Sequence, residues 1–162
     1  MNHELNKKFE LKNGSLYWRS NRKAALVGQR AGADHVKGYR QIYYDGKYFL
    51  EHQLIWAMKY GYFPKQLDHI NSNKQDNRIE NLREATNSQN QKNTKTRITS
   101  KSGVKNVKWI LHMKKWQVRL RVNKTPKIVG YFDDLELAEL VAIEARNKFH
   151  GKYSNHKIKE LA

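Results

Sequence analysis

Hydrophobic and polar residues change rhythm several times along the chain. Between Ser15 and Leu54, short apolar and aromatic runs (Leu16-Tyr17-Trp18, Arg40-Gln41-Ile42-Tyr43-Tyr44, Lys47-Tyr48-Phe49-Leu50) are separated by glycine turns such as Asp45-Gly46. This is the pattern of small antiparallel strands. The run Leu54 to Tyr60 predicts a short helix, stopped by Gly61 and Pro64, because glycine ends helices at little cost and proline cannot continue them. From Gln66 to Asn93 periodicity gives way to a stretch dense in Asp, His and Asn, residues that favour side-chain hydrogen bonding over regular structure. Thr94 to Ser102 is polar and aperiodic, as a linker would be. Lys115 to Val122 then alternates strictly, with Trp116, Val118, Leu120 and Val122 on one face and Lys115, Gln117, Arg119 and Arg121 on the other. A helix over about Leu135 to Phe149 follows, its Ala138, Val141, Ala142, Ala145 and Phe149 spaced to lie on the apolar side of such a sheet. There is no internal repeat and no low-complexity tract.

A length of 162 residues suits two small modules, neither with a large core. Charge narrows the partners. Lys and Arg number 32 against 15 Asp and Glu, a formal charge of +17, which predicts a polyanionic partner. No apolar run approaches the roughly 18 residues needed to span a bilayer, so nucleic acid is expected and a membrane is not. The polar N-terminus, Met1 to Lys12, lacks the apolar stretch of a secretory signal, so a cytoplasmic site of action is expected, in a host cell if the gene is a phage's, or a nuclear one in a host with a nucleus. With no cysteine, disulfides, zinc ribbons and thiol nucleophiles are excluded, and any metal must be held by oxygen and imidazole.

The Asp68-His69 pair is where that chemistry starts. Hydrolysis of a phosphodiester needs a base for water and an electrophile for the charge that builds on phosphate and leaving oxygen. On an extended backbone, Asp68 can offer its carboxylate to a metal while His69 faces the other side. An Asp-His dipeptide alone is most often solvated turn. The reading changes because Asp68-His69-Ile70-Asn71 is followed by Asp76-Asn77-Arg78-Ile79-Glu80-Asn81-Leu82-Arg83 and then by Thr86-Asn87-Ser88-Gln89-Asn90.

This series, with the lead-in Glu51-His52-Gln53-Leu54-Ile55-Trp56, resembles the HNH endonuclease family, in its branch of phage and intron-associated homing enzymes. The resemblance spans about Gly38 to Asn93 and implies a compact strand-strand-helix unit holding one divalent ion. It makes His69 the general base, Asp68 and Asn90 the metal ligands and Asn81 the middle, orienting residue, with Thr86 placed to cap the helix that bears Asn90. An amide oxygen at the last position favours Mg²⁺ or Mn²⁺, one ion per site, rather than zinc. Asn77 divides evenly between a turn former and a structural role in the loop. His52, which has a counterpart in the family pattern, is as well explained by packing and is left outside the site.

After Glu84 no acid appears until Asp133, while lysines and arginines accumulate. Lys101 to Trp109, Lys115 to Val122, Gly130-Tyr131-Phe132-Asp133 and the alanine-rich helix together resemble the APETALA2/ERF-like DNA-binding domain. That resemblance implies a three-stranded sheet laid in the major groove with one helix behind it. Arg119 and Arg121 match strand positions that face DNA, and Lys115, Gln117, Lys108, Lys105 and Arg78 are further candidate contacts. Asn106 stands where glycine is common and is expected to take its left-handed conformation, while Lys124, in place of a turn glycine, suggests a looser hairpin. Trp109 and Trp116 are expected to pack rather than to stack on bases.

The expected fold is α+β: a strand-rich lead-in and ββα-metal unit over residues 1–93, a basic linker over 94–102, a three-stranded antiparallel sheet with one helix over 103–155 and a basic tail over 156–162. The expected activity is cleavage of double-stranded DNA at a recognised site, nick or double-strand break, by a monomer or homodimer, leaving 5′-phosphate and 3′-hydroxyl ends. A non-catalytic, sequence-specific DNA-binding regulator on the same scaffold is the alternative from another class, and a nuclease directed to RNA or to nucleic-acid shape is a third.

Overall fold

The computed structural model describes residues 2–20, 24–93 and 100–154. The tail expected over 156–162, and the expected linker apart from residues 100–102, lie outside the described residues. Strands and helices are both well represented, as an α+β chain requires. The chain divides into two compact units, Met1–Asn87 and Ser88–Ala162.

The first unit opens with a helix, α1 (Asn2–Lys8), and a hairpin of β1 (Phe9–Lys12) and β2 (Ser15–Trp18), turned by Asn13 and Gly14, both at positive φ. A small sheet follows, formed by β3 (Ala33–Asp34), β4 (Arg40–Tyr44) and β5 (Lys47–Leu50), with β4 and β5 joined through Asp45-Gly46. The helix α2 (Glu51–Tyr60) begins three residues earlier than its apolar pattern suggests. The Gln53 carboxamide accepts the Leu50 N–H at 2.9 Å, and Glu51 in the first turn meets the positive end of the helix dipole. Gly61, left-handed at φ 86°, ends the helix as expected. Then come β6 (Leu67–His69), paired antiparallel with β7 (Leu82–Glu84), and the short helix α3 (Asn87–Lys92), which crosses the boundary between the units.

One apolar core serves this whole unit: Leu5, Phe9, Leu16, Ile42, Leu54, Ile55, Trp56, Leu67 and Leu82 are all buried in it. Full burial of such side chains is worth about 1.5–3 kcal/mol each, so the N-terminal helix and hairpin belong to the same folding unit as β6 and β7. One close approach marks the joint: a Cβ on Gly14 would lie 2.7 Å from the Arg78 backbone nitrogen.

In the second unit β8 (Val107–Ile110), β9 (Lys115–Val122) and β10 (Thr125–Phe132) form an antiparallel sheet in the order β10-β9-β8, with α4 (Leu135–His150) packed against it. Asp134 caps α4 by accepting the Leu137 N–H at 2.7 Å. Ala138 and Ala142 meet Val104, Val107 and Val118 in the core, with Trp116 and Phe132 at its margin. Trp116 pairs with Trp109 across the strands, ring centres 4.8 Å apart, which is the packing role expected of both. Asn106 takes the left-handed conformation foreseen for it (φ 70°). The β9–β10 hairpin is tighter than Lys124 suggested: Val122 pairs with Thr125, and Asn123 and Lys124 both adopt positive φ in a two-residue turn. Its asparagine takes the first left-handed position, so the lysine's strain is confined to one residue.

Candidate active site

Asp68 and His69 sit side by side on β6, and both are buried. Because successive strand side chains point to opposite faces, the two enter different networks. Asp68 lies opposite Arg83 in the β6–β7 register, and its Oδ2 accepts from Arg83 Nε at 2.9 Å and from a terminal guanidinium nitrogen at 2.6 Å. An ionised carboxylate is tolerable at this depth because the guanidinium accompanies it.

His69 Nε2 lies 2.8 Å from Oδ1 of Asn77, whose amide nitrogen donates to Oε2 of Glu51 at 2.9 Å. Glu51, fully enclosed, also accepts the Leu16 N–H at 2.8 Å through Oε1 and faces Arg30 at 3.3 Å through Oε2. The rings of His52 and Tyr39 stand against His69, with centres 5.0 and 6.1 Å away. Burial lowers the pKa of His69, opposed by the Asn77 hydrogen bond and the Asp68 charge. Burial, helped by His69, pushes His52 down to about 3, so both imidazoles are neutral at neutral pH. A neutral imidazole is the state a general base needs.

Asn81 holds the loop between the two strands. Its Oδ1 accepts the Asn71 N–H at 3.0 Å, and its Nδ2 donates to Asn71 Oδ1 at 3.0 Å and to the Asp76 carbonyl at 2.7 Å. The loop is tied outward as well, Lys74 Nζ donating to the Lys37 carbonyl and Gln75 Nε2 to that of Gly38. Arg78, a candidate DNA contact, is exposed but clasped to Asp76 by two hydrogen bonds of 2.8 Å, which with the Arg78 charge hold the Asp76 carboxyl down at about 2.

The structure therefore brings Asp68, His69 and Asn81 together on one strand pair and its loop. Asn90 is half-buried on α3, which begins directly after Thr86, and belongs by residue number to the second unit. The sequence alone assigns no role to Glu51 or Arg83, divides Asn77 between two readings and leaves His52 outside the site. Arg83 needed the strand register, and Glu51 lies 26 residues from its partner Asn77. Among the described residues no group of three or more His, Cys, Asp or Glu side chains could by itself hold a metal.

On the second unit the register places Arg119 beside Ile128, Arg121 beside Pro126, and Gln117 between Lys108 and Tyr131. Arg119, Arg121 and Lys108 are exposed, and Gln117 donates to the Tyr131 hydroxyl at 3.0 Å. Lys115 meets Asp133 at 3.1 Å, so the acid-free stretch of sequence is not acid-free in space. Lys105 is half-buried, donates to the Lys92 carbonyl at 2.6 Å, and is pulled down to about 8 by burial and by Arg146. It lines, with Lys92, Arg119, Arg121, Lys124 and His150, a concavity of about 570 Å³ whose wall, among the described residues, has no carboxylate. No described helix is long and apolar enough to cross a membrane.

Residues 49–92 match the family model of the HNH endonuclease, a segment that begins on β5 and ends on α3. The chain is also similar to Protein 3.8 of Escherichia phage T7, with 29% identity over 122 residues that cover 73% of this chain and 96% of that protein. No solved structure matches the chain. The matched segment contains β6, β7, α3 and the loop that Asn81 ties down; this chain carries an HNH endonuclease domain and is an HNH-type DNA endonuclease.

Proposed function

We propose that the chain is a divalent-metal-dependent endonuclease of double-stranded DNA, of the homing type, that cuts at a recognised site. The observation that carries this reading is the divergence at β6: one buried strand delivers a carboxylate to one side and a neutral imidazole to the other. His69 takes a proton from water, the water oxygen attacks phosphorus, and the bond to the 3′ oxygen breaks, leaving 5′-phosphate and 3′-hydroxyl ends. Asp68 and Asn90, the latter within the matched segment, would hold the ion through oxygen. The donor chemistry fits Mg²⁺ or Mn²⁺, since a carboxylate oxygen and an amide oxygen are both hard ligands. When bound, such an ion supplies positive charge to the phosphate and the leaving oxygen. Asn81 keeps the loop closed over the strand pair.

Arg119, Arg121, Gln117 and Lys108 on the exposed sheet face, with Lys115, Lys105 and Arg78 as further contacts, would engage the duplex in the manner of an APETALA2/ERF-like sheet. Arginine forks read guanine while lysines neutralise phosphate. One HNH unit cuts one strand at a time, as a monomer or as one half of a homodimer on DNA.

The test is supercoiled plasmid carrying candidate sites, incubated with Mg²⁺ or EDTA, beside His69→Ala. Nicking by the wild type with Mg²⁺ and its loss with EDTA or with the variant is expected. Equal products from wild type and His69→Ala would remove the assignment.

A further inference from the structure

The geometry points to Glu51 and Asn77 as positioning residues that lock His69 in the tautomer with hydrogen on Nε2, so that Nδ1 is the nitrogen that accepts the proton from water. This rests on His69 being the base proposed above.

Glu51 has no exposed surface. Its Oε1 accepts a backbone N–H from Leu16, and its Oε2 faces two donors, the Asn77 amide and the Arg30 guanidinium. With a backbone N–H on one oxygen and a guanidinium, which can only donate, on the other, the Glu51 carboxylate serves as acceptor, so the group of Asn77 turned toward it is the NH₂. The Asn77 carbonyl oxygen is then left pointing at His69 Nε2, 2.8 Å away. An amide oxygen can only accept, so the ring nitrogen facing it must carry the hydrogen. In a neutral imidazole with hydrogen on Nε2, the lone pair is on Nδ1. Asn77 is 2% exposed, and the reverse orientation would put two donors face to face at its contact with His69 or two acceptors at its contact with Glu51.

Glu51→Gln preserves the shape and should reverse the relay. Its oxygen stays with the Leu16 backbone N–H, which cannot move, and its new NH₂ faces Asn77, while Arg30, with a side chain 37% exposed, can swing toward solvent. Asn77 must then turn its oxygen to Gln and its NH₂ to His69, which forces the hydrogen onto Nδ1.

The test is the ¹⁵N long-range correlation spectrum of the imidazole nitrogens in the full-length protein at mildly alkaline pH, with the His69 signals identified by their absence in His69→Ala. The wild type is expected to show His69 as the Nε2–H tautomer, and Nδ1–H there overturns the proposal without any variant having to fold. Glu51→Gln is expected to show Nδ1–H and to lose nicking by about 10²-fold or more, with DNA affinity retained. Loss of nicking with the wild-type tautomer unchanged makes Glu51 merely structural and overturns the proposal. Inversion with nicking intact shows the lock to be real but His69 not to be the base, which removes the catalytic role of the relay together with the reading it rests on. Asn77→Ala, expected to give mixed tautomers and intermediate nicking, is the second variant, and a pure Nε2–H signal from it would also count against the lock.

Discussion

The loop-and-strand site around His69 and the sheet face around Arg119 are both polar, yet they are built on opposite terms. In the first, Glu51, Asp68, His69, Asn77 and Asn81 are buried and held by hydrogen bonds: Asp68 with Arg83, Asn77 with His69 and Glu51, Asn81 with the loop. In the second, Arg119 and Arg121 stand on an exposed face beside Ile128 and Pro126. Buried polar groups cost free energy unless paired and therefore fix geometry. Exposed cations cost little and remain adaptable. Bond-breaking chemistry needs the first property, and reading a long, variable polymer needs the second.

The sharpest way to break this comparison is at the proposed base. His69→Ala should lower Mg²⁺-dependent nicking by about 10²- to 10⁴-fold, with duplex affinity in a gel-shift titration unchanged; a parallel fall in affinity would mean that the two regions are not separable. Next comes stability. Arg83→Ala leaves the Asp68 carboxylate buried without its guanidinium and should cost about 3–5 kcal/mol in urea unfolding, whereas Arg119→Ala should stay within about 0.5 kcal/mol. Similar costs for both would erase the distinction between built and adaptable polarity.

Arg119→Ala and Arg121→Ala should each lower discrimination between target and non-target duplex by about 1–3 kcal/mol. Each should leave nonspecific nicking at high Mn²⁺ largely intact. Equal loss of both activities would place these arginines in folding. A further effect is one of pH. His52 is held neutral down to about 3 when folded, against an ordinary 6.5. Between those values the unfolded chain takes up a proton that the folded chain refuses. The contribution of neutral His52 is therefore present above pH 6.5 and is lost as pH falls, at about 1.4 kcal/mol per pH unit. In His52→Gln the fall in stability between about pH 6.5 and 4.5 should be shallower by that slope, read from urea midpoints.

Local pattern made much of this legible in advance. The helix before Gly61, the alternating β9 and the alanine stripe of α4 each announce themselves by periodicity, and the spacing from Asp68 to Asn81 carried the nuclease reading. Residues whose role comes from a partner distant in the chain were not legible. Glu51 looks like an ordinary first-turn acid until Leu16 and Asn77 are found around it, and Arg83 acquires meaning only when the register sets it against Asp68. The stripe on α4 hid two more, Arg146 donating to the Lys105 carbonyl and His150 lying 2.9 Å from that of Arg121. The polar α1, with Leu5 its one buried residue, has too little apolar pattern to be predicted.

The hydrogen bond from Leu16 to Glu51 bears on how this enzyme could be cut up or grafted. A cassette trimmed to the matched segment 49–92 would keep the proposed Asp68, His69, Asn81 and Asn90, yet it would strand a carboxylate whose neighbours, Leu16 and Arg30, had been left behind. A portable version of this nuclease has to carry its N-terminal hairpin with it, however dispensable that hairpin looks beside the catalytic motif.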